Sequence, residues 1–351
     1  MSDLAPQMVE QVRSAAADSR PVEIKGGSSK AGLLGRTVTG EALEVGGHRG
    51  IVTYDPTELV LTARAGTPLA EVEAALAEHG QALSFEPPHL GAGATLGGTL
   101  ACNLSGPARP WGGSMRDMVL GVRLINGKGE HLRFGGQVMK NVAGYDVSRL
   151  QAGALGTLGV ITEISLKVLP APRRAVTLVT ALDQATAIER MNELAGRPVP
   201  LSGAAWVDGR LYLRFSGSFA PDAMAERWGG SVLAESESCW ADLREQRLPF
   251  FAGSQPLWRL SVASTTPPML HGATTLIDWG GAQRWVRGGD LTTLATVAAK
   301  AGGHVDLFRG GNRNGEVRQS PPPGLAALHR RLKASFDPAG ILNPGRLYGW
   351  M

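Results

Sequence analysis

Cysteine is almost missing from this chain of 351 residues: Cys102 and Cys239 are the only two, and they stand far apart. A disulfide-stapled scaffold is excluded, as is an iron–sulfur site of clustered cysteines. Histidine is scarce too, with seven residues and no close cluster suited to a metal. No apolar run reaches the roughly 18–20 residues of a membrane span, and the opening "MSDLAPQMVEQVRSAAADSR" has no apolar signal core. The expectation is a cytoplasmic protein whose only membrane contact is peripheral, through a partner. The chain is basic, with 35 Lys and Arg against 31 Asp and Glu. The basic residues are scattered and never form the dense patches that neutralise phosphates in series, so no nucleic-acid partner is expected. There is no GxxxxGK[ST], which argues against a P-loop nucleotidase.

Glycine is what the chain has in excess: 47 residues, nearly double the average share of about 7%. Two turn-rich stretches concentrate it, "IKGGSSKAGL" at 24–33 and "PPHLGAGATLGGTLACNLSG" at 87–106. "GAGATLGG" is a poor dinucleotide fingerprint, because it follows "EPPHL" rather than a strand and its third glycine comes one position late. Each stretch can instead turn successive backbone N–H groups toward an anion, and a pair of such nests suits a diphosphate. For any one glycine taken alone, a tight turn is the competing explanation.

The patterning predicts an α+β chain. "AGTPLAEVEAALAEHGQ" reads as a helix with Thr67 as N-cap, Leu69, Val72 and Leu76 on one face and Gly80 as the stop. "ELVLTARAG" reads as a strand, "MVLGVRLINGKGEHLRFGG" as a hairpin around Asn126 and Gly127, and "LGVITEISLKVLPAP" as a strand ending at Pro170 and Pro172. From about 175 to 305, helices alternate with hairpins, one of them on Asp208 and Gly209. Six of the eight tryptophans lie between 206 and 285, and a core role for them outweighs a stacking platform. An amphipathic helix carrying Leu325, Leu328 and Leu332 follows near the end. The expected division is 1–172, 173–305 as a small α+β cap with an antiparallel sheet, and 306–351 returning to the first part.

In order, "KGGSS", "AGTPLAEVEAALAEHGQ", "ATLGGTLACNLSG", "RDMVLGVRLING" and "KNVAGYDVSRLQAGALGTLGVITEISLKVLPAP" closely resemble the PCMH-type FAD-binding domain of the vanillyl-alcohol oxidase superfamily, a fold of two α/β subdomains. "LKASFDPAGILNPGR" resembles that superfamily's C-terminal return to the flavin. The short middle domain and "KNVAGYD" are similar to the smaller FAD-binding subunits of bacterial glycolate oxidases. The resemblance implies FAD between Gly26, Gly27, Ser28 and Ser29 on one side and Leu96, Gly97, Gly98 and Thr99 on the other. Asn103 and Ser105 would add polar contacts, and Gly159, Val160 and Ile161 would lie along the cofactor. Asn343 would approach the isoalloxazine or simply make a turn before Pro344. Arg116 and Asp117 would form a loop ion pair or support the pocket. Lys140, Tyr145 and Asp146 would pass near the cofactor, or the tyrosine would pin its loop.

Departures matter as much. No histidine lies between Ile24 and Leu33, so FAD is expected to be non-covalent, and Ser28 replaces the usual third glycine of that loop. Cys102 is expected to be a small buried apolar residue rather than an attachment point. Oxidising a 2-hydroxy acid needs a base or metal for the hydroxyl and a cation for the carboxylate. His271 and His304 stand alone, and Arg259, Arg284, Arg287 and Arg309 are as well explained by solvated faces, so no catalytic residue is assigned. The expected function is the FAD-binding subunit of a glycolate oxidase, acting on glycolate or D-lactate with a larger FAD-containing catalytic subunit and an iron–sulfur subunit as partners. A self-sufficient oxidoreductase of another substrate and a non-catalytic assembly scaffold are the alternatives.

Overall fold

The computed structural model describes residues 3–136, 145–172, 174–217, 220–270 and 272–351. Lys140 and His271 lie outside them. The chain opens with helix Ala5–Ala17, which has Pro6 in its first turn and buries Ala5, Met8, Val12 and Ala15 along one face. Strand Val22–Lys25 then pairs in parallel with Glu41–Glu44. The C-terminal return joins this pair: Val22 N–H donates to Ile341 O at 2.8 Å and Asn343 N–H to Val22 O at 2.9 Å.

A five-stranded antiparallel sheet runs in the order Ile51–Asp55, Val60–Arg64, Val160–Lys167, Val119–Ile125, His131–Gly135. Its middle strand buries six of eight residues, including Ser165, whose hydroxyl bonds Thr62 at 2.8 Å. Both faces of that strand are covered, which explains β-branched residues at inward and outward positions alike. The expected hairpin between Val119–Ile125 and His131–Gly135 forms, with Asn126 Oδ1 accepting from the N–H groups of Lys128 and Glu130. The expected helix spans Leu69–Ala77 and buries Leu69, Val72 and Leu76, but Thr67 does not cap it. The Thr67 hydroxyl is buried and is taken up by Gly50 and by Arg64 O at 2.7 Å, tying the helix entry to the sheet.

An eight-stranded antiparallel sheet follows, in the order Ser231–Val232, Ala175–Ala181, Arg210–Ser216, Leu201–Val207, Thr275–Asp278, Gln283–Arg287, Leu257–Ser261, His304–Arg309. Asp208 and Gly209, with φ of 50° and 75°, make the two-residue turn that the Asp-Gly pair favours. Helix Gln184–Ala195 is capped by Asp183, whose carboxylate accepts from Ala185 and Thr186 N–H, and it buries Ile188, Met191 and Leu194 on the sheet. Trp240, Trp258 and Trp285 are core residues, whereas Trp206, Trp228 and Trp279 are half-buried. Arg284 is buried rather than solvated and donates to Gly281 O and Thr266 O.

Polar contacts tie the second sheet to the glycine-rich stretch of the first part: Arg214 pairs with Glu86 at 2.8 Å, and Trp279 Nε1 donates to Gly106 O at 2.9 Å. Glu245, at the end of helix Ser236–Arg244, accepts from the N–H groups of His89 and Leu90. In the last long helix, Pro323–Phe336, the expected core face is not one. Leu325 and Leu328 are exposed, and only Ala326 and Lys333 are buried.

Candidate cofactor site

Strand Val22–Lys25 runs straight into Gly26, and the chain then bends across a cleft whose space is about 940 Å³, its solvent-open mouth included. The second glycine stretch forms the facing wall. The two bends touch backbone to backbone: a Cβ on Gly27 would stand 1.4 Å from Gly93 O, and one on Gly93 would stand 2.3 Å from Gly27 O. A Cβ on Gly97 would meet Ala65 Cβ at 2.7 Å. Bare backbone at these positions therefore serves loop packing first, and the cleft exists because that packing is so close. Gly98 differs, since its nearest neighbour would be Thr95 Oγ1 at 3.2 Å.

Gly26, Gly27, Ser28, Ser29, Gly97, Gly98, Gly159, Ile161 and Asn343 all line this cleft. Leu96, Thr99 and Val160 are fully buried beside it. Asn103 ends the short helix Leu96–Cys102 in a left-handed conformation, with Oδ1 accepting from Arg116 N–H at 3.2 Å. Ser105 lines a separate, smaller cavity together with Arg244, Arg259, Asp278 and Gln283. The Asp117 carboxylate bonds Ser114 rather than Arg116, and the Tyr145 side chain is 99% exposed, so it pins nothing. Asp146 caps the short turn Val147–Leu150.

Donor geometry separates the two bends. Among the described residues, the backbone N–H groups of Gly26, Gly27, Ser28, Ser29 and Lys30 meet no protein acceptor. Those of Leu96, Gly97 and Gly98 are committed to Thr67 O, Ala65 O and Thr95 Oγ1, at 3.0, 2.7 and 3.2 Å. The first bend is thus the open nest, and it fits the diphosphate of FAD: consecutive free donors around a concavity that a side chain would fill. Ser28 takes φ of 57° there, a conformation glycine adopts at less cost.

The lining is also cationic. Lys25, Lys30 and Arg346 stand against Glu23. Lys30 Nζ donates to His89 O at 3.0 Å, and burial lowers its pKa. Arg346 donates to Ala31 O and Arg36 O, holding the first bend in shape, and burial lowers its pKa as well. Cys102 lines the same cleft, and burial outweighs the opposing charges of Lys30 and Arg346 to push its thiol pKa up. Among the described residues, no histidine lines the cleft. Asn343 spends its amide on the fold: Oδ1 accepts from Ile24 N–H at 2.8 Å and Nδ2 donates to Leu155 O at 2.7 Å, clamping strand and loop on either side of the cleft.

Lys30, Thr95 and Arg346 were not foreseen as parts of this wall. The lysine sits one residue past the glycine-serine run and the arginine ends the stretch "LKASFDPAGILNPGR", and both were usable signals.

Residues 5–135 match the model of the FAD binding domain, and residues 310–347 match that of the FAD linked oxidases, C-terminal domain. The glycolate oxidase subunit GlcE of Escherichia coli (strain K12) is 49% identical over 99% of this chain and 98% of that protein. This chain belongs to the GlcE family of FAD-linked oxidases. Its cofactor is FAD. A D-lactate dehydrogenase of Anaerostipes hadrus is 32% identical over 43% of this chain and 32% of its own length. Among solved structures, an alkyldihydroxyacetonephosphate synthase superposes with a TM-score of 0.65 at 15% identity, covering 97% of this chain and 75% of that one, a likeness of fold. Among the described residues, no helix is long and apolar enough to cross a membrane.

Proposed function

We propose that this chain is the FAD-holding subunit of an assembly that oxidises a small 2-hydroxy acid, glycolate first and D-lactate second. Residues 1–172 with 306–351 form the cofactor body and 173–305 the cap. The observation that carries the reading is the row of free N–H groups from Gly26 to Lys30 in a cationic cleft, in a chain matching a named oxidase subunit along its whole length.

The residues divide the work simply. Gly26–Lys30 would hold the diphosphate, Lys30 and Arg346 would offset its charge, and Asn343 would keep the walls at a fixed spacing. FAD supplies hydride acceptance when bound. In the smaller cavity Ser105 and Arg259 stand with Asp278, whose carboxyl is wholly buried and accepts from Trp279 N–H; no catalytic role is assigned to it, and substrate oxidation is assigned mainly to a larger flavoprotein subunit. An iron–sulfur subunit is the natural electron acceptor, because this chain has no cysteine cluster to hold such a centre.

The test compares the flavin spectrum of the purified chain, alone and assembled with both partners, before and after glycolate. A yellow chain that bleaches only in the assembly is expected. A colourless chain would sink the cofactor reading, and bleaching by the chain alone would favour a self-sufficient oxidoreductase.

A further inference from the structure

Helix Pro323–Phe336 leaves an apolar stripe in solvent. Leu325 and Leu328 are 45% and 48% exposed and lie on one face, and the half-buried Leu332 extends the stripe by a turn. The C-terminal tail packs on the other flank of the helix, against His329 and Arg330. Tyr348 and Trp350 stack with centroids 4.9 Å apart, and the Arg330 guanidinium sits 4.4 Å over the Trp350 ring. The helix has no acidic residue. Lys333 is neutralised by Asp337, but Arg330 and Arg331 are exposed and, among the described residues, make no ion pair.

A second copy is a poor occupant, because pairing two such stripes would bring basic flanks carrying Arg331 together. A chain of opposite charge gains from the same arginine. We propose that the Leu325–Leu328–Leu332 stripe, flanked by Arg331, forms the docking face for a different subunit, one presenting an apolar groove edged with aspartate and glutamate. This rests on the subunit role proposed above.

The experiment co-expresses the full chain with the larger flavoprotein and the iron–sulfur subunit and measures the affinity of the assembly at low and high salt. Leu325→Glu with Leu328→Glu should weaken assembly at least about tenfold, with the chain's own FAD content and melting temperature unchanged. Arg331→Glu should weaken it less and flatten its salt dependence. If the wild-type chain assembles and both variants assemble equally well, this face is wrong while the subunit role stands. If the wild-type chain assembles with neither protein, the subunit role fails and takes the docking face with it. A wild-type homodimer that the leucine variant turns into a monomer would also overturn the proposal, in favour of self-association.

Discussion

Lys333 and Asp337 form a buried ion pair, Nζ to Oδ2 at 2.7 Å, one helical turn apart at the point where the last helix hands over to the C-terminal return. The pair is fully committed on both sides. Lys333 Nζ also donates to Thr157 O and Leu342 O, and the Asp337 carboxylate accepts from Ile341 and Leu342 N–H. Asn343, the clamp of the cofactor cleft, follows directly. Removing the lysine leaves a buried carboxylate with no counter-charge, so Lys333→Met should destabilise the fold by about 3–5 kcal/mol. Chemical denaturation of the two single variants and of Lys333→Met with Asp337→Asn checks this. The double variant should recover part of the loss, and no coupling between the sites would refute the account.

Asp278 carries a pH prediction. Its carboxyl is wholly buried, and desolvation raises its pKa from 3.8 to about 7 against the opposing bond from Trp279 N–H. The folded state therefore holds a proton that the unfolded state has released, and stability from this group is complete below about pH 4 and is lost as pH rises through about 7. Asp278→Asn keeps an acceptor for Trp279 and cannot ionise. It should raise the melting temperature at pH 8 relative to wild type and lessen the fall between pH 5 and 8. Melting curves across that range decide, and an identical slope in both proteins would count against a buried, titrating Asp278.

The closeness of Gly27 and Gly93 makes a third prediction about the fold rather than the ligand. With Gly93 O 1.4 Å from the place of a Cβ on Gly27, no small shift accommodates Gly27→Ala. The bends must part, which should cost several kcal/mol by overpacking and lower both stability and FAD retention. Ala at Gly32, where nothing lies within 4 Å, should leave both intact. Thermal melts and bound-flavin ratios of the two variants are the measurement, and equal behaviour would sink the contact.

Much of this was legible in the sequence where the signal is local. The Asp208-Gly209 turn and the alternation in Arg210–Ser216 specify their own geometry. The glycine stretches marked the cleft, and nine of the residues expected there do line it. Positions that depend on distant partners were not legible. Residues 96–102 read as turn because of Gly97 and Gly98, yet they form a helix because Thr95 caps it and Ala65 O takes up the Gly97 N–H. Thr67 has the chemistry of an N-cap but meets Gly50 instead. Leu325 and Leu328 have core periodicity, and periodicity cannot say whether the covering surface belongs to the same chain.

Gly98 separates fold from cofactor most cleanly. It lines the cleft inside helix Leu96–Cys102, and a Cβ there would meet only Thr95 Oγ1 at 3.2 Å, which a small shift relieves. Gly98→Ala should therefore be stable, because the helix preference of alanine, up to about 1 kcal/mol, offsets the tight contact. Gly98→Asp should fold comparably but place a carboxylate in the cleft opposite the Gly26–Lys30 bend, beside the proposed diphosphate position. Two unit charges about 4 Å apart at an effective dielectric near 20 repel by about 4 kcal/mol, roughly a thousandfold in affinity. The expected pattern is native melting curves for both apoproteins, flavin bound in the alanine variant and absent in the aspartate variant. Full flavin content in Gly98→Asp would place the diphosphate away from this wall, and loss in both variants would mean that the helix, rather than the charge, had been disturbed.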